Sequence, residues 1–102
     1  MTYVRVWRFR PLPNRVAGFE EAYGPEGDWA RLFGTADGFL GTTLLKRDGE
    51  APEYLTLDRW VSAQAYEAFR QTRHQEYTAL DRRCEALTEL EQEIGSYQEV
   101  TH

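Results

Sequence analysis

One histidine and one arginine lie four residues apart in a segment with helical periodicity, where they could move a proton together. A histidine side chain ordinarily changes charge near neutral pH, so His74 is the residue best suited to accept a proton. Arg70 lies one helical turn earlier, and its cation could stabilise a phenolate. We therefore predict His74 and Arg70 as a catalytic pair. The same pattern also fits a solvated polar flank of the helix.

Aromatic side chains form the second set of candidate functional residues. They make up 14% of the chain, and several fall on elements that would enclose one cavity between a sheet and its helices, which suits a flat apolar ligand. The residues predicted to contact such a ligand are Trp7, Tyr23, Trp29, Trp60, Tyr66 and Tyr77. Such residues also fill the core of a small domain, and Trp60 and Tyr66 equally fit packing between sheet and helix.

Other catalytic and cofactor-binding patterns are absent from the sequence. It contains no glycine-rich phosphate loop, no HExxH metal motif, no GxSxG nucleophile turn and no pair of histidines at metal-binding spacing, His102 being the last residue. Cys84 is the only cysteine, which excludes an intramolecular disulfide and fits a reducing compartment. We predict neither a metal site nor an organic cofactor.

The composition limits the classes of partner. The 102 residues are 41% hydrophobic and 28% charged, which is typical of one globular domain over residues 1–102. The 12 Lys and Arg residues against 17 Asp and Glu residues give a net charge of -5, which disfavours nucleic acid and anionic membranes as partners. The first residues alternate apolar and charged side chains, so we expect no signal or anchor segment and a cytoplasmic protein.

Hydrophobic periodicity and turn signals predict the elements that would position these side chains. Strands are predicted over residues 3–10, 39–47, 54–61 and 93–100. A first helical segment is split by the Gly24-Pro25-Glu26-Gly27 stretch, and Asp28 is expected to cap its second piece. Apolar residues at steps of three and four predict one helix of roughly 25 residues after Ser62. The order is strand, helix, strand, strand, helix, strand.

This order predicts an α+β, ferredoxin-like βαββαβ fold with a four-stranded antiparallel sheet. Two helices cover one face of such a sheet, and the other face would carry either the aromatic set or the aliphatic residues Val4, Val6, Leu55 and Leu57. The pattern does not decide between these two faces. Both are too apolar to stay in water, so we predict a homodimer formed by pairing the uncovered faces.

Two neighbouring charges on the third strand must separate across the sheet. Asp58 and Arg59 point to opposite faces because side chains alternate along a strand. One of them therefore faces inward, where a charge requires a partner. Arg5 or Arg8 on the first strand is the candidate partner.

The chain resembles the antibiotic biosynthesis monooxygenase family over essentially its whole length. The resemblance rests on FLGT at residues 39–42, on the strand YLTLDRW at residues 54–60, and on Ser62 followed by AYEAF at residues 65–69. Members are ferredoxin-like protomers that pair into dimeric α+β barrels, so the resemblance implies this assembly for the whole chain. Some members are cofactor-free oxygenases of phenolic or anthrone substrates or quinol oxygenases, some degrade heme, and many have no established activity.

The residues at the positions that match the family's functional residues distinguish between these activities. Heme degraders carry a helix tryptophan and a histidine ten residues later, where this chain has Phe69 and Ala79. Anthrone oxygenases carry a strand tryptophan and a helix tyrosine, which match Trp60 and Tyr66, and an asparagine that is Thr56 here. The resemblance therefore implies a cofactor-independent oxygenase for a flat phenolic, quinol or anthrone-type molecule. The alternative is a non-catalytic small-molecule-binding or stress-associated dimer of the same fold.

Overall fold

Four antiparallel strands form one sheet in the computed structural model, which describes residues 2–100. The terminal His102 lies outside the described residues. The strands are β1 (Tyr3–Pro11), β2 (Phe39–Lys46), β3 (Tyr54–Trp60) and β4 (Thr88–Gln98), in the spatial order β2-β3-β1-β4. This topology confirms the predicted ferredoxin-like fold. β4 begins five residues before the predicted start, because its acidic first half lies on a sheet edge where charged side chains remain in water.

Four helices connect the strands. They are α1 (Val16–Tyr23), α2 (Asp28–Phe33), α3 (Ala63–Thr72) and α4 (His74–Cys84), with short 3₁₀ turns before α1 and after α4. The predicted split between α1 and α2 is present, but Gly27 takes the cap position and the Asp28 carboxylate instead accepts a hydrogen bond from Arg31. None of the helices within residues 2–100 is long and apolar enough to cross a membrane.

The prediction of one long helix after Ser62 is wrong. Arg73 leaves helical geometry, with φ -111° and ψ 29°, and separates α3 from α4. The amide of Arg73 still donates to Phe69 and its carbonyl still accepts from Tyr77, so the two helices follow each other with a local bend. Neither proline nor glycine lies near the bend, and the apolar steps of three and four continue through it, so periodicity did not mark it.

The helices cover the aromatic face of the sheet. Along β3 the residues Tyr54, Thr56, Asp58 and Trp60 are buried, while the residues between them are half-buried on the opposite face. Antiparallel pairing places β1 residues beside them on the same face, with Tyr3 opposite Trp60, Arg5 opposite Asp58, Trp7 opposite Thr56 and Phe9 opposite Tyr54. Phe9, Tyr54 and Trp60 join rings from the helices in the hydrophobic core. The uncovered face is therefore the aliphatic one.

Gly38 lies at the close contact between the start of β2 and the start of α3. Gly38 has a φ of +94°, and its carbonyl accepts a hydrogen bond from the amide of Val61 at 2.8 Å. A Cβ atom on Gly38 would lie 2.9 Å from both the Ala65 Cβ and the Val61 Cγ2 atoms. The position therefore requires glycine for its backbone conformation and for space.

Gly38→Ala is expected to destabilise the protein more than Gly41→Ala. Both glycines have positive φ, but a Cβ on Gly41 would meet no atom within 4 Å. The backbone strain of about 1–2 kcal/mol is common to both variants, whereas crowding adds about 1–3 kcal/mol at Gly38 alone. Urea unfolding of the two variants measures the difference, and equal losses of unfolding free energy would contradict the packing described here.

Candidate active site

A cavity lies between the helix-facing side of the sheet and helices α1, α2 and α4. Its volume is about 40 Å³, and part of it is open to solvent. Six aromatic residues line it, namely Trp7, Phe9, Tyr23, Trp29, Phe33 and Tyr77. Four further residues, Thr42, Thr56, Asp58 and Glu91, supply its polar groups.

The aromatic residues support one another at the distances preferred by ring pairs. The centroids of Phe9 and Tyr23 are 4.7 Å apart, those of Trp29 and Tyr77 are 5.1 Å apart in an edge-to-face arrangement, and Trp7 stacks on Phe9 at 6.2 Å. Such contacts stabilise ring positions beyond simple burial. The cavity therefore has preformed apolar walls.

Asp58 is the buried carboxyl group of this cavity. Its residue is 9% exposed, and its Oδ1 accepts a hydrogen bond of 2.7 Å from the Thr42 hydroxyl on β2. Burial raises the pKa of Asp58 to about 6, although the Thr42 hydrogen bond and the charge of Arg5 act in the opposite direction. A buried carboxyl whose pKa approaches neutrality, in a cleft, marks a candidate functional site.

The predicted inward charge is thus Asp58, and Arg5 is the nearer of its two predicted partners. Arg5 lies opposite Asp58 in the β1–β3 register, but its Nη2 binds the Glu93 carboxylate at 2.9 Å. Arg8 lies on the opposite face, where it binds Glu53 at 2.8 Å. Within residues 2–100 no cation lies within 4 Å of the Asp58 carboxylate. Arg5 therefore acts on Asp58 through its field rather than through a direct ion pair.

Four of the predicted ligand-contacting residues meet in the cavity, namely Trp7, Tyr23, Trp29 and Tyr77. Trp60 is 0% exposed and lies outside the lining, packed edge-on against Phe33 and Tyr66 with ring centroids 5.6 and 5.4 Å away. Tyr66 is also buried outside the lining. The structure thus divides the predicted aromatic set into a cavity group and a core group.

The predicted catalytic pair is separated by the bend at Arg73. Arg70 lies on α3, where its Nη1 donates to the Tyr66 hydroxyl at 3.0 Å and its guanidinium carbon lies 3.8 Å from the Tyr77 ring centroid. It thus contacts one wall residue of the cavity. His74 begins α4, is exposed and does not line the cavity. A role for this pair in catalysis stays a prediction.

Sequence reasoning found the inward charge at Asp58 or Arg59 but did not assign it to the site. Among the described residues, no group of three histidine, cysteine or carboxylate side chains is placed to hold a metal ion. The signal that could have identified Asp58 is its strand position, two residues from Thr56 and Trp60 on one face. Using that signal required knowledge of which face the helices cover.

Comparisons with known proteins agree with this architecture. The family model for antibiotic biosynthesis monooxygenase matches residues 2–79. The chain belongs to the antibiotic biosynthesis monooxygenase family. The match includes β1 to β3, helices α1 to α3 and the first part of α4, whereas β4 with Glu91 and Glu93 lies beyond it.

Solved structures show the same fold. One is SnoaB from Streptomyces nogalater, a cofactor-independent oxygenase, with a TM-score of 0.76 and 19% identity over 99% of this chain and 95% of that chain. PA3566 from Pseudomonas aeruginosa has a TM-score of 0.68 and 14% identity over 98% and 95% of the two chains. Rv0793 from Mycobacterium tuberculosis has a TM-score of 0.69 and 15% identity over 100% and 98%. A search of the curated proteins found no match.

Asp58→Asn is expected to stabilise the protein at pH 8 and to change its stability little at pH 4. The pKa of Asp58 is about 6 in the folded protein against an ordinary 3.8, so the folded state loses stability as pH rises through this range. The ionised carboxylate then costs on the order of 3 kcal/mol, and asparagine removes that cost while still accepting the Thr42 hydrogen bond.

Urea unfolding at both pH values measures this effect. Asp48→Asn, which removes an exposed carboxylate from the turn between β2 and β3, is the matched control and should change the unfolding free energy by less than about 0.5 kcal/mol. A stabilisation by Asp58→Asn that is the same at both pH values would contradict the assignment of a raised pKa.

Proposed function

We propose that this protein is a cofactor-independent monooxygenase-like enzyme that acts on a flat phenolic, quinol or anthrone-type molecule. The observation that carries the proposal is the cavity in which Trp7, Tyr23, Trp29 and Tyr77 form apolar walls beside buried polar groups. Membership of the antibiotic biosynthesis monooxygenase family supports it. So does the fold shared with SnoaB, itself a cofactor-independent oxygenase.

The walls would hold the substrate by ring contacts. Trp29 belongs to the short helix α2 and lines the cavity, and its buried Nε1 lies near the Tyr23 hydroxyl and the Cys84 thiol. Tyr77, supported from outside by Arg70, would provide the facing wall.

The proposed reaction balances with dioxygen alone. Removal of a proton from an anthrone-type methylene group leaves a carbanion, which reduces dioxygen and forms a bond from carbon to one oxygen atom. Protonation gives a hydroperoxide, and loss of water from it leaves a carbonyl group, so that one substrate and one dioxygen yield one quinone-type product and one water. The cavity would hold the anion beside dioxygen and exclude bulk water.

A second candidate function is non-catalytic binding of a small molecule by the same fold. The exposure of His74, the predicted base, favours this alternative, because an exposed imidazole outside the cavity has no access to a bound ligand. Under this alternative the aromatic cavity binds the same class of molecule without consuming oxygen.

Trp29→Phe and Trp60→Phe form a matched pair that separates the cavity from the core. Both changes keep a ring and remove a buried Nε1, but only Trp29 lines the cavity. With metal-stripped protein and a panel of anthrones and quinols, we expect oxygen uptake above the buffer rate. We expect kcat/KM to fall about tenfold in Trp29→Phe, because the smaller ring removes part of the cavity wall, and less than about threefold in Trp60→Phe.

A larger loss of kcat/KM in Trp60→Phe than in Trp29→Phe would place the substrate at Trp60, as the family resemblance implied. Uptake no faster than the buffer rate across the panel, together with binding of the same compounds detected by tryptophan fluorescence, would favour the non-catalytic alternative.

We also propose that two copies pair through the uncovered sheet face. That face carries Val6 opposite Leu57 and Leu45 opposite Leu55 in the strand register, and Leu45 is 45% exposed. Tyr97 on β4, opposite Val4, is 52% exposed. A contiguous apolar patch of this kind is typical of an interface.

Leu57→Glu is expected to convert the dimer into a monomer, because two buried carboxylates would face each other in the interface. Sedimentation equilibrium should show a dimer dissociation constant at least about 100-fold higher than that of the unchanged protein. Gln75→Glu adds the same charge at an exposed position of α4 and should leave the dimer intact. A dimer that survives Leu57→Glu would exclude this face as the interface.

A further inference from the structure

Two carboxyl groups line the cavity, and their positions differ. Glu91 is exposed and lies on the edge strand β4, whereas Asp58 is buried on β3 in the middle of the sheet. A base must lie within hydrogen-bond distance of the proton that it removes. For a substrate held between the aromatic walls, the better-placed base is therefore the buried carboxyl group of Asp58 and not the exposed one of Glu91.

We propose that Asp58 is the catalytic base of this cavity, which accepts a proton from an activated C–H or O–H group of the bound aromatic molecule. This inference rests on the proposed function, because it assigns a residue to the first step of that reaction. It assigns the step to a residue other than His74 and Arg70.

The geometry of the carboxylate leaves one oxygen for the substrate. Thr42 donates to Oδ1 at 2.7 Å and thereby fixes the orientation of the group. Within residues 2–100, Oδ2 accepts no hydrogen bond. A carboxylate held by one oxygen, with the other free in a cavity, has the arrangement that a general base requires.

The charges around the cavity favour transfer of the proton. Transfer neutralises Asp58 as the substrate becomes an anion, so the number of negative charges in the low-dielectric cavity does not change in the step. Arg5, across the strand pair, stabilises the carboxylate form of Asp58. Arg70 lies behind Tyr77, with its guanidinium carbon 3.8 Å from the ring centroid, and adds to the same field.

The step returns Asp58 to its starting state. The electron pair of the broken bond stays on the substrate and reduces dioxygen, as in the reaction above. The protonated Asp58 then gives its proton to the peroxide oxygen, and the hydroperoxide loses water. Proton and electrons therefore balance within one turnover, and Asp58 ends as a carboxylate.

The phenol groups around the cavity do not compete for this role near neutral pH. The titratable groups that surround Asp58 from the packed elements are Arg5 on β1, Glu91 and Glu93 on β4, Tyr23 on α1 and Tyr77 on α4. Burial raises the pKa of Tyr77 to about 12 and raises that of Tyr23, so both phenols stay protonated. The residue Glu91 is exposed, but loss of hydration at its carboxyl group and the charges of Asp81 and Glu85 raise its pKa.

Hydrogen exchange from a substrate without oxygen isolates the proposed step from oxygenation. Under anaerobic conditions in D₂O, exchange of the methylene protons of anthrone, followed by NMR, reports proton removal alone. The unchanged protein should accelerate exchange over buffer, with a rate that rises with pH through about 6 and levels off above it, because the carboxylate is the active form. Asp58→Asn should lower the protein-dependent rate at least about 100-fold. Glu89→Gln removes an exposed carboxylate of β4 outside the cavity and should keep the rate within about threefold.

Two further measurements, fluorescence quenching by a ligand and oxygen uptake in air, make each outcome decisive. Quenching of tryptophan fluorescence by anthraquinone should give the same dissociation constant for Asp58→Asn and the unchanged protein within about threefold, which excludes a loss of fold or of binding. No acceleration by the unchanged protein, or equal acceleration by Asp58→Asn, would overturn the role of Asp58. Exchange that depends on Asp58 without oxygen uptake in air would uphold the base and overturn the oxygenase.

Discussion

The register between β1 and β3 determines both faces of the sheet, because successive side chains along a strand point to opposite sides. Arg5 lies opposite Asp58, and the ring pairs Tyr3–Trp60 and Phe9–Tyr54 lie on either side of it on the same face. A slip of one residue would turn Asp58 outward and bring Leu55 and Leu57 under the helices. The cavity, the aromatic core and the aliphatic outer face are therefore consequences of one pairing.

That pairing places an ionisable group where it is least stable. Asp58 is buried beside aromatic rings, and one hydrogen bond from Thr42 together with the field of Arg5 offsets only part of the loss of hydration, since the pKa remains raised. A buried carboxyl group with a raised pKa, in a cavity whose surrounding rings pack closely, is typical of a functional site.

The sequence predicted the parts of this arrangement that depend on local pattern. Strand alternation, the Gly24–Gly27 break and the strand order were sufficient for the fold, and the predicted aromatic set included Trp7, Tyr23, Trp29 and Tyr77, which line the cavity. Features that depend on tertiary packing could not be predicted from local pattern. Both faces of the sheet are apolar, so the face that meets the helices, and with it the inward position of Asp58, depends on packing. The bend at Arg73 likewise interrupts no apolar pattern, yet it removes the shared helix face on which the pairing of His74 with Arg70 depended.

The family resemblance and the cavity point to different polar residues of β3 as the one that would face a bound molecule. The resemblance implies an asparagine at the position of Thr56, which is 4% exposed and lines the cavity without a long polar side chain. Asp58 is the next residue along β3 on the same face, about 7 Å further. A shift of two residues keeps a polar group on the cavity side, whereas a shift of one would move it to the outer face. A strand can therefore exchange a neutral amide for an ionisable carboxyl without any change of fold. A fold shared with SnoaB at 19% identity is consequently compatible with a different polar chemistry in the cavity.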